Sequence, residues 1–512
     1  MILLRLPNLT DSASDSVRLA RTYLNDLATP TLRLGVTGLS RAGKTVFITA
    51  LVRTLTEGCA VPSIQIMRRP AFRAFLEPQP NDELPRFAYE AHLAALTDDQ
   101  PKWPESTTQI SQLRVTLEWN ASDWLRRTFG VGRRLHMDII DYPGEWLVDL
   151  AMLEQSFEAW SEAAIEASRK QPRNGDVDAW LSFLERIERE EVASKLKTNI
   201  AKTDERSTAQ TAEQMAIEGA ALYTSYLAAC QRNNTQAVVL GPGRFVMPGD
   251  LAGSPLLTFF PLAAGAGGQK SHHDGGRLEL EALLRRRYES YRLRVVKPFF
   301  EDHFSQLDRQ IVLVDALSAL NGGADRLHRL EDGLDGVLAA FKPGANSWLA
   351  ALMGRRIDRV LFAATKADLL NRRNHDRLRG ILSAVVSRAS DRAEGLGAAV
   401  ACQAISGLRA TEDVEMEKDG EIIPCIQGIP LRGEAIGGRI FDGVAPAVIF
   451  PGDLPSDPLE VFEGQGIAEG SLNFIRFQPP SLSLNKSGTT MPPWPHIGLG
   501  PTLQFLIGDR LT

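Results

Sequence analysis

The sequence predicts an α/β fold: a mostly parallel sheet carrying a helical insertion and a β-rich C-terminal extension. Short apolar runs alternate with helical patterns along much of the 512 residues, as parallel strands joined by helical crossovers require. A long stretch rich in Ala, Glu, Lys, Arg and Leu, with few Pro or Gly, interrupts this alternation and favours helices. Beyond about Ala410 the composition turns to Gly, Pro and short β-like runs. Single cores stop growing near roughly 250 to 300 residues, so the chain is read as one principal domain with inserted segments.

Residues 1–30 are read as an N-terminal helical segment. Its opening, "MILLRLPNLTDSASDS", lacks the long apolar core and small-residue cleavage site of a secretion signal. The first part of the sheet domain spans 31–146. There "LRLGVTG" (32–38) is a buried strand running into a glycine loop, and "KTVFITALVRTL" is the helix after it. "QLRVTLEW" (112–119) and "RLHMDIID" (134–141) are neighbouring strands, the first alternating like a half-exposed edge. The helical insertion is placed at 147–235. The second part of the sheet domain, 236–409, adds strands at "QIVLVDAL", "RVLFAAT" and "AAVACQAIS". Before them stands a basic helix, "LEALLRRRYESYRLRVVKPFF", expected to kink or end near Pro298. The extension, 410–512, has a hairpin signal at Asp419-Gly420 and a final helix at "TLQFLIGDR".

A formal net charge of −6 gives no electrostatic reason to expect nucleic acid as a specific partner. The cysteines, Cys59, Cys230, Cys402 and Cys425, form no close-spaced pair, so neither a disulfide framework nor a zinc site is expected, and the cytoplasm is the simplest setting. The longest apolar stretch, "PLLTFFPLAAGAGG", is too short and too broken by Pro and Gly to span a bilayer. Contact with a membrane is therefore expected only peripherally, through a partner.

"GLSRAGKT", Gly38 to Thr45, follows the first strand and opens the first helix. In G-x-x-x-x-G-K-[ST] each element answers the chemistry of a polyphosphate. Gly38 and Gly43 let the backbone curl so that successive amides point inward, Lys44 brings a cation to the β and γ phosphates, and Thr45 offers a hydroxyl to magnesium. With Ser40, Arg41, Ala42 and Val46 they form the candidate nucleotide cradle, and the following helix adds its N-terminal dipole. A magnesium site also needs a carboxylate at the end of a neighbouring strand. Asp141 ends "MDII" and begins "DYPGE", a D-x-x-G arrangement in which the Gly144 amide is placed to sense the γ-phosphate. "TKAD", Thr365 to Asp368, follows "RVLFAA" at the position of a guanine-recognition loop. An aspartate there accepts from the guanine ring N–H and exocyclic amine, with the Lys366 stem against the base. A plain helix N-cap at Asp368 is the alternative.

These motifs, with "FFEDHFSQLDRQIVLVDAL", "CQAISGLRAT", "IPLRGEAIGGRIFDG" and "FLIGDRL", resemble the YcjX-like family of bacterial P-loop GTPases over most of the chain. The resemblance implies a Ras-like P-loop NTPase domain with a helical insertion, binding GTP or GDP with Mg2+. It also implies an association with bacterial stress and envelope proteins through a protein partner yet to be identified. Three departures from the common GTPase pattern stand out. Thr365 replaces the usual Asn of the base motif, which loses an amide but keeps the discriminating Asp. Glu145 replaces the Gln after the D-x-x-G glycine, either to orient the attacking water or to complement the next helix's dipole. Arg41 stands where some cation-dependent GTPases use Asn; it either supplies positive charge as an internal arginine finger or points outward. Thr107 and Thr108 in "WPESTTQI" are equal candidates to complete the magnesium shell, and Ala404 and Ser406 are candidates to meet the guanine oxygen.

"SHHDGG" is read as a flexible loop rather than a metal site, the basic helix as a solvated face paired with nearby Glu, and "LLTFFPL" as a buried loop. Water attack on the γ-phosphate is the expected chemistry. A nucleotide-dependent scaffold with little hydrolysis, or an ATPase in which "TKAD" is only a cap, are the other readings.

Overall fold

The computed structural model describes residues 29–38, 41–57, 64–69, 71–105, 109–120, 132–196, 205–232, 241–263, 275–339, 357–418, 420–464, 472–482 and 494–511. Seven strands make the central sheet: β1 (Thr31–Gly38), β2 (Arg73–Glu77), β3 (Ser111–Asn120), β4 (Gly132–Asp141), β5 (Arg309–Val314), β6 (Arg359–Ala364) and β7 (Ala399–Ala404). Their order is β2-β3-β4-β1-β5-β6-β7. The pairs from β4 through β1, β5 and β6 to β7 are parallel, and β3 is antiparallel to both its neighbours. This is the mostly parallel α/β sheet the alternation implies.

One strand and one environment differ from expectation. β2 was not expected from the sequence; it is five residues long, lies between prolines, and buries neither face fully, so its pattern carries little signal. By pairing with β3 it removes that strand from the edge, and Leu113, Val115, Leu117 and Trp119 of β3 are all buried.

The register aligns the carboxyl ends of the parallel strands. Val36 of β1 sits opposite Asp141, Gly38 opposite Leu313, Val314 opposite Ala364, and Ala364 opposite Ala404. Loops leaving β1, β4, β5, β6 and β7 therefore emerge along one rim, where open α/β sheets bind ligands.

Each sheet face packs its own apolar layer. On one face lie α1 (Lys44–Thr56) and the terminal helix, with Phe47, Leu51, Leu503 and Leu506 buried against β1, β3 and β5. On the other, helices α2 (Phe157–Arg169), α3 (Gly175–Leu196), α4 (Glu205–Arg232) and α5 (Gly275–Tyr291) share a continuous core with the sheet residues Ile140, Val312 and Phe362. α2 shows why such a segment folds as helix. The Ser156 side chain accepts the Ala159 N–H at 3.2 Å, and Phe157, Trp160, Ser161, Ala164, Ile165 and Ser168 fall at the 3- and 4-residue spacing of one buried stripe. Trp160 stacks on Tyr288 of α5 with ring centroids 5.1 Å apart and meets Phe259 edge-on. Phe259 and Phe260 are fully buried, as expected for "LLTFFPL".

Two arginines of α5 pair with acids: the half-exposed Arg285 meets Glu158 at 2.6 Å, as expected of a solvated face, whereas Arg287, mostly buried, meets Glu213 at 2.6 Å and donates to the Thr258 carbonyl. Near Pro298 the chain neither stops nor breaks. It widens into π-helical turns over Arg292–Val296 and Phe299–His303, which accommodate the proline's missing N–H and its bulk.

The extension contains β8 (Glu412–Lys418) and β9 (Glu421–Gly428), joined at the expected hairpin with Gly420 at φ 83°, and a third strand beside β9. The final helix, α6 (Leu499–Ile507), is bolted beneath the sheet. The fully buried Arg309 guanidinium donates to Asp358 at 3.0 Å and to Asp509 at 2.6 Å. Residues 1–28 and "SHHD" at 271–274 lie outside the described residues. Among the described residues no helix is long and apolar enough to cross a membrane, and no His/Cys/Asp/Glu cluster suited to a metal ion occurs.

Candidate functional site

β1 delivers the glycine-rich loop to the rim. A Cβ on Gly38 would lie 2.7 Å from the Leu313 carbonyl oxygen, so glycine is required where the loop leaves the sheet. Arg41 and Gly43 adopt left-handed φ of 67° and 82°, turning the chain back into α1. Gly43 occupies the N-cap position, no side chain caps the helix, and no acidic residue lies in its first turn. The first amides of a 13-residue helix thus face the loop without a competing carboxylate, the arrangement that binds anions. Ala42, Lys44 and Thr45 are buried, Val46 is half-buried and the Arg41 side chain is exposed. The Lys44 Nζ donates to the Gly38 carbonyl at 3.4 Å. Ser40 lies outside the described residues.

β4 brings the D-x-x-G segment alongside. Asp141 is 1% exposed and in register with Val36; the Tyr142 amide donates to the Val36 carbonyl at 3.3 Å and its hydroxyl to Gln310 at 2.7 Å. The Gly144 amide donates to the Gly38 carbonyl at 3.3 Å, so the amide of one motif and the lysine of the other converge on a single oxygen. Glu145 follows, buried, and its Oε1 accepts a hydrogen bond from Gln231 Nε2 at 2.9 Å. Thr107 and Thr108 lie outside the described residues.

β6 and β7 carry the "TKAD" segment and Ser406 at the other end of the rim. The Thr365 amide donates to the Val314 carbonyl at 2.9 Å, and Lys366, at φ 61°, pairs with Asp315 at the end of β5. Asp368 is 5% exposed and accepts the Ala410 N–H at 3.0 Å. Burial raises its pKa, against the Ala410 amide, the neighbouring Ser406 hydroxyl and Arg409, which favour the ionised form. The cap role belongs instead to Asn371, whose side chain accepts the Arg373 N–H at 3.2 Å. Of the two candidates for the guanine oxygen, Ser406 comes beside Asp368, whereas Ala404 ends β7 with its carbonyl against Gly498.

Several residues that shape the rim were not recognised in the sequence. Gly407 approaches the backbone of Val46 and Phe47 so closely that a Cβ would meet it at 3.0 Å, and Trp494 Nε1 donates to the Gly407 carbonyl at 2.6 Å. Gln231 and Asp315 are likewise joined to motif residues only by the fold. A cavity of about 330 Å3 opens beside Trp146, lined also by Gln109, Ile110, Arg244, Arg294 and Phe299.

Comparison with known families bears on this geometry. Residues 32–511 match the model of the YcjX-like family, DUF463. The chain belongs to this family. It is similar to the Ras-like GTPase YcjX of Escherichia coli strain K12, 34% identical over 487 residues that cover 94% of this chain and 96% of that protein. It is also similar to the Ras-like GTPase YcjX of Shewanella oneidensis, 32% identical over 509 residues, covering 96% and 97% respectively. The family resemblance expected from the motifs therefore holds.

Proposed function

We propose that this YcjX-like protein binds guanine nucleotides along the carboxyl rim of its sheet and hydrolyses GTP to GDP and phosphate. The observation that carries the reading is the convergence of Lys44 and Gly144 on the Gly38 carbonyl, with buried Asp141 one strand away and buried Asp368 on the same rim. Two relatives named Ras-like GTPases, matched over nearly their whole lengths, support it.

In this reading the amides of Gly38 to Val46 cradle the phosphates, and the Lys44 ammonium offsets charge on the β and γ groups. Thr45 and Asp141, a hydroxyl and a carboxylate held on adjacent elements, fit the hard oxygen ligation of magnesium, with Thr107 or Thr108 completing the set. Bound there, magnesium would neutralise charge on the β and γ oxygens. The Gly144 amide exchanges the Gly38 carbonyl for a γ-phosphate oxygen, and Glu145 acts on the attacking water or only on the fold. Asp368 reads the base, with Thr365 and Lys366 shaping its pocket and Ser406 beside it; Ala404 is the weaker candidate. The exposed Arg41 guanidinium is free to swing toward the phosphates. If it serves as an internal arginine finger, hydrolysis is insensitive to replacing potassium by sodium, and Arg41→Ala lowers turnover far more than GDP affinity.

The protein is read as a regulatory switch in bacterial stress or envelope-related processes, cytoplasmic, working through a protein partner and reaching the membrane only peripherally. A scaffold that binds nucleotide but barely hydrolyses it is the second reading, favoured by Glu145, a residue already held by Gln231. The test is competition for fluorescent GDP by GDP, GTP, ADP and ATP in magnesium, followed by multiple-turnover phosphate release. Guanine-only competition lost in Asp368→Ala and Lys44→Ala, with steady phosphate release, supports the GTPase. Equal competition by adenine nucleotides overturns it, and binding without release leaves the scaffold.

A further inference from the structure

We propose that Gln231, at the end of α4, is a positioning residue for the hydrolytic step, acting through Glu145 and making the helical segment a working part of the nucleotide switch. The inference rests on the GTPase reading above. Two neighbouring residues face in opposite directions: the Gly144 amide is bonded to the phosphate loop at Gly38, and the Glu145 carboxylate to Gln231, 86 positions later in the chain. Glu145 is 1% exposed, so its orientation is fixed by what it touches rather than by solvent.

The residues that follow are held by the same helical body. Trp146 Nε1 donates to the Met247 carbonyl at 3.0 Å, and the Arg244 guanidinium lies over the indole ring, 3.2 Å from its centroid. The buried Asp149 carboxylate accepts the Gly243 N–H on one oxygen and the Tyr291 hydroxyl on the other, both at 2.5 Å. No slack exists between the two layers, because a Cβ on Gly243 would stand 1.9 Å from the Glu145 carbonyl oxygen. When the Gly144 amide leaves Gly38 for a γ-phosphate oxygen, the Pro143–Gly144 peptide plane turns, and Glu145, joined to it through Gly144, is displaced to the extent that the Gly144 dihedrals do not absorb the turn. A close-packed interface does not stretch continuously, so the motion is either resisted or passed on as a rearrangement of α4. Gln231 holds the Glu145 carboxylate one residue from the moving glycine and so sets where it stands relative to the γ-phosphate.

The experiment uses the full chain and the variants Gln231→Leu, which keeps bulk but removes the donor, and Gln231→Asn, which keeps the amide but withdraws it by one methylene. Fluorescent GDP affinity, single-turnover GTP hydrolysis, and amide hydrogen exchange across 205–232 with GDP and with a non-hydrolysable GTP analogue are measured. Both variants should bind GDP within about twofold of wild type while hydrolysis changes about tenfold or more, the scale expected when a reacting group is displaced. Exchange near Gln231 should differ between the two nucleotides in wild type and not in the variants. Wild-type hydrolysis in both variants, or exchange indifferent to nucleotide in the wild type, overturns the inference while the GTPase reading stands. Failure of the wild type to bind guanine nucleotide overturns both.

Discussion

At Asp368 two demands oppose one another. Burial pushes the carboxyl pKa up, yet the proposed reading of guanine requires the ionised form, which alone accepts from both the ring N–H and the amine. Because the folded pKa is raised above its ordinary value, guanine affinity should begin to fall at a higher pH than for an exposed aspartate, and a GDP titration at descending pH reads this directly. Hydrogen bonds to a charged acceptor contribute about 1.5–3 kcal/mol, so Asp368→Asn should weaken GDP by about tenfold or more. The amide would offer a donor in place of an acceptor, matching the 2-carbonyl of xanthine. Xanthosine diphosphate should therefore gain affinity in this variant, and unchanged GDP binding would remove Asp368 from the base site. The placement of such residues on the rim was legible because it is set locally, by a loop between strand and helix and by an aspartate at a strand end. Gln231 was not, since a glutamine near a helix end has no sequence pattern that names its partner.

Among elements, the short stretch after Gly144 is tied to several others. Asp149 lies within it, and burial raises its pKa to about 6 despite hydrogen bonds from Tyr291 and Gly243. The sign of the pH effect follows from that direction. Between the unfolded value near 3.8 and about 6 the folded protein holds a proton that the unfolded chain has lost. Asp149 thus contributes stability fully present below the lower value and lost as pH rises through about 6. Asp149→Asn keeps the shape and abolishes this slope. Comparing urea midpoints across that window should show wild type losing stability relative to the variant, by on the order of 2–3 kcal/mol in all, and parallel profiles would refute it. The same scale shows where sequence reading failed. β2 had too few residues and too little burial to display a period, and missing it left β3 as an apparent edge. The longer strands were legible because fully buried apolar runs bounded by turns leave few alternatives.

For the molecule as a whole, the chain's last residues return to complete the rim formed by its first motifs. Ser406 and Ile497 exchange backbone hydrogen bonds at 3.0 and 2.9 Å, the Arg409 amide donates to the Pro495 carbonyl at 2.9 Å, and Trp494 donates to Gly407. Gly407 in turn rests on the backbone of α1 just beyond the phosphate loop, and Arg53 of α1 stacks on the Trp494 ring at 4.7 Å. The segment after β7 is therefore held between the extension and α1. Trp494→Phe tests this without emptying the site, because it keeps an aromatic face for Arg53 while removing the indole N–H together with part of the ring. One lost neutral hydrogen bond is worth about 0.5–1.5 kcal/mol. If the extension fixes the base loop, that cost appears as about two- to tenfold weaker GDP binding, with affinity for pyrophosphate and the magnesium dependence unchanged. If it only covers a core, Trp494→Phe lowers the unfolding midpoint while GDP and pyrophosphate bind as in wild type.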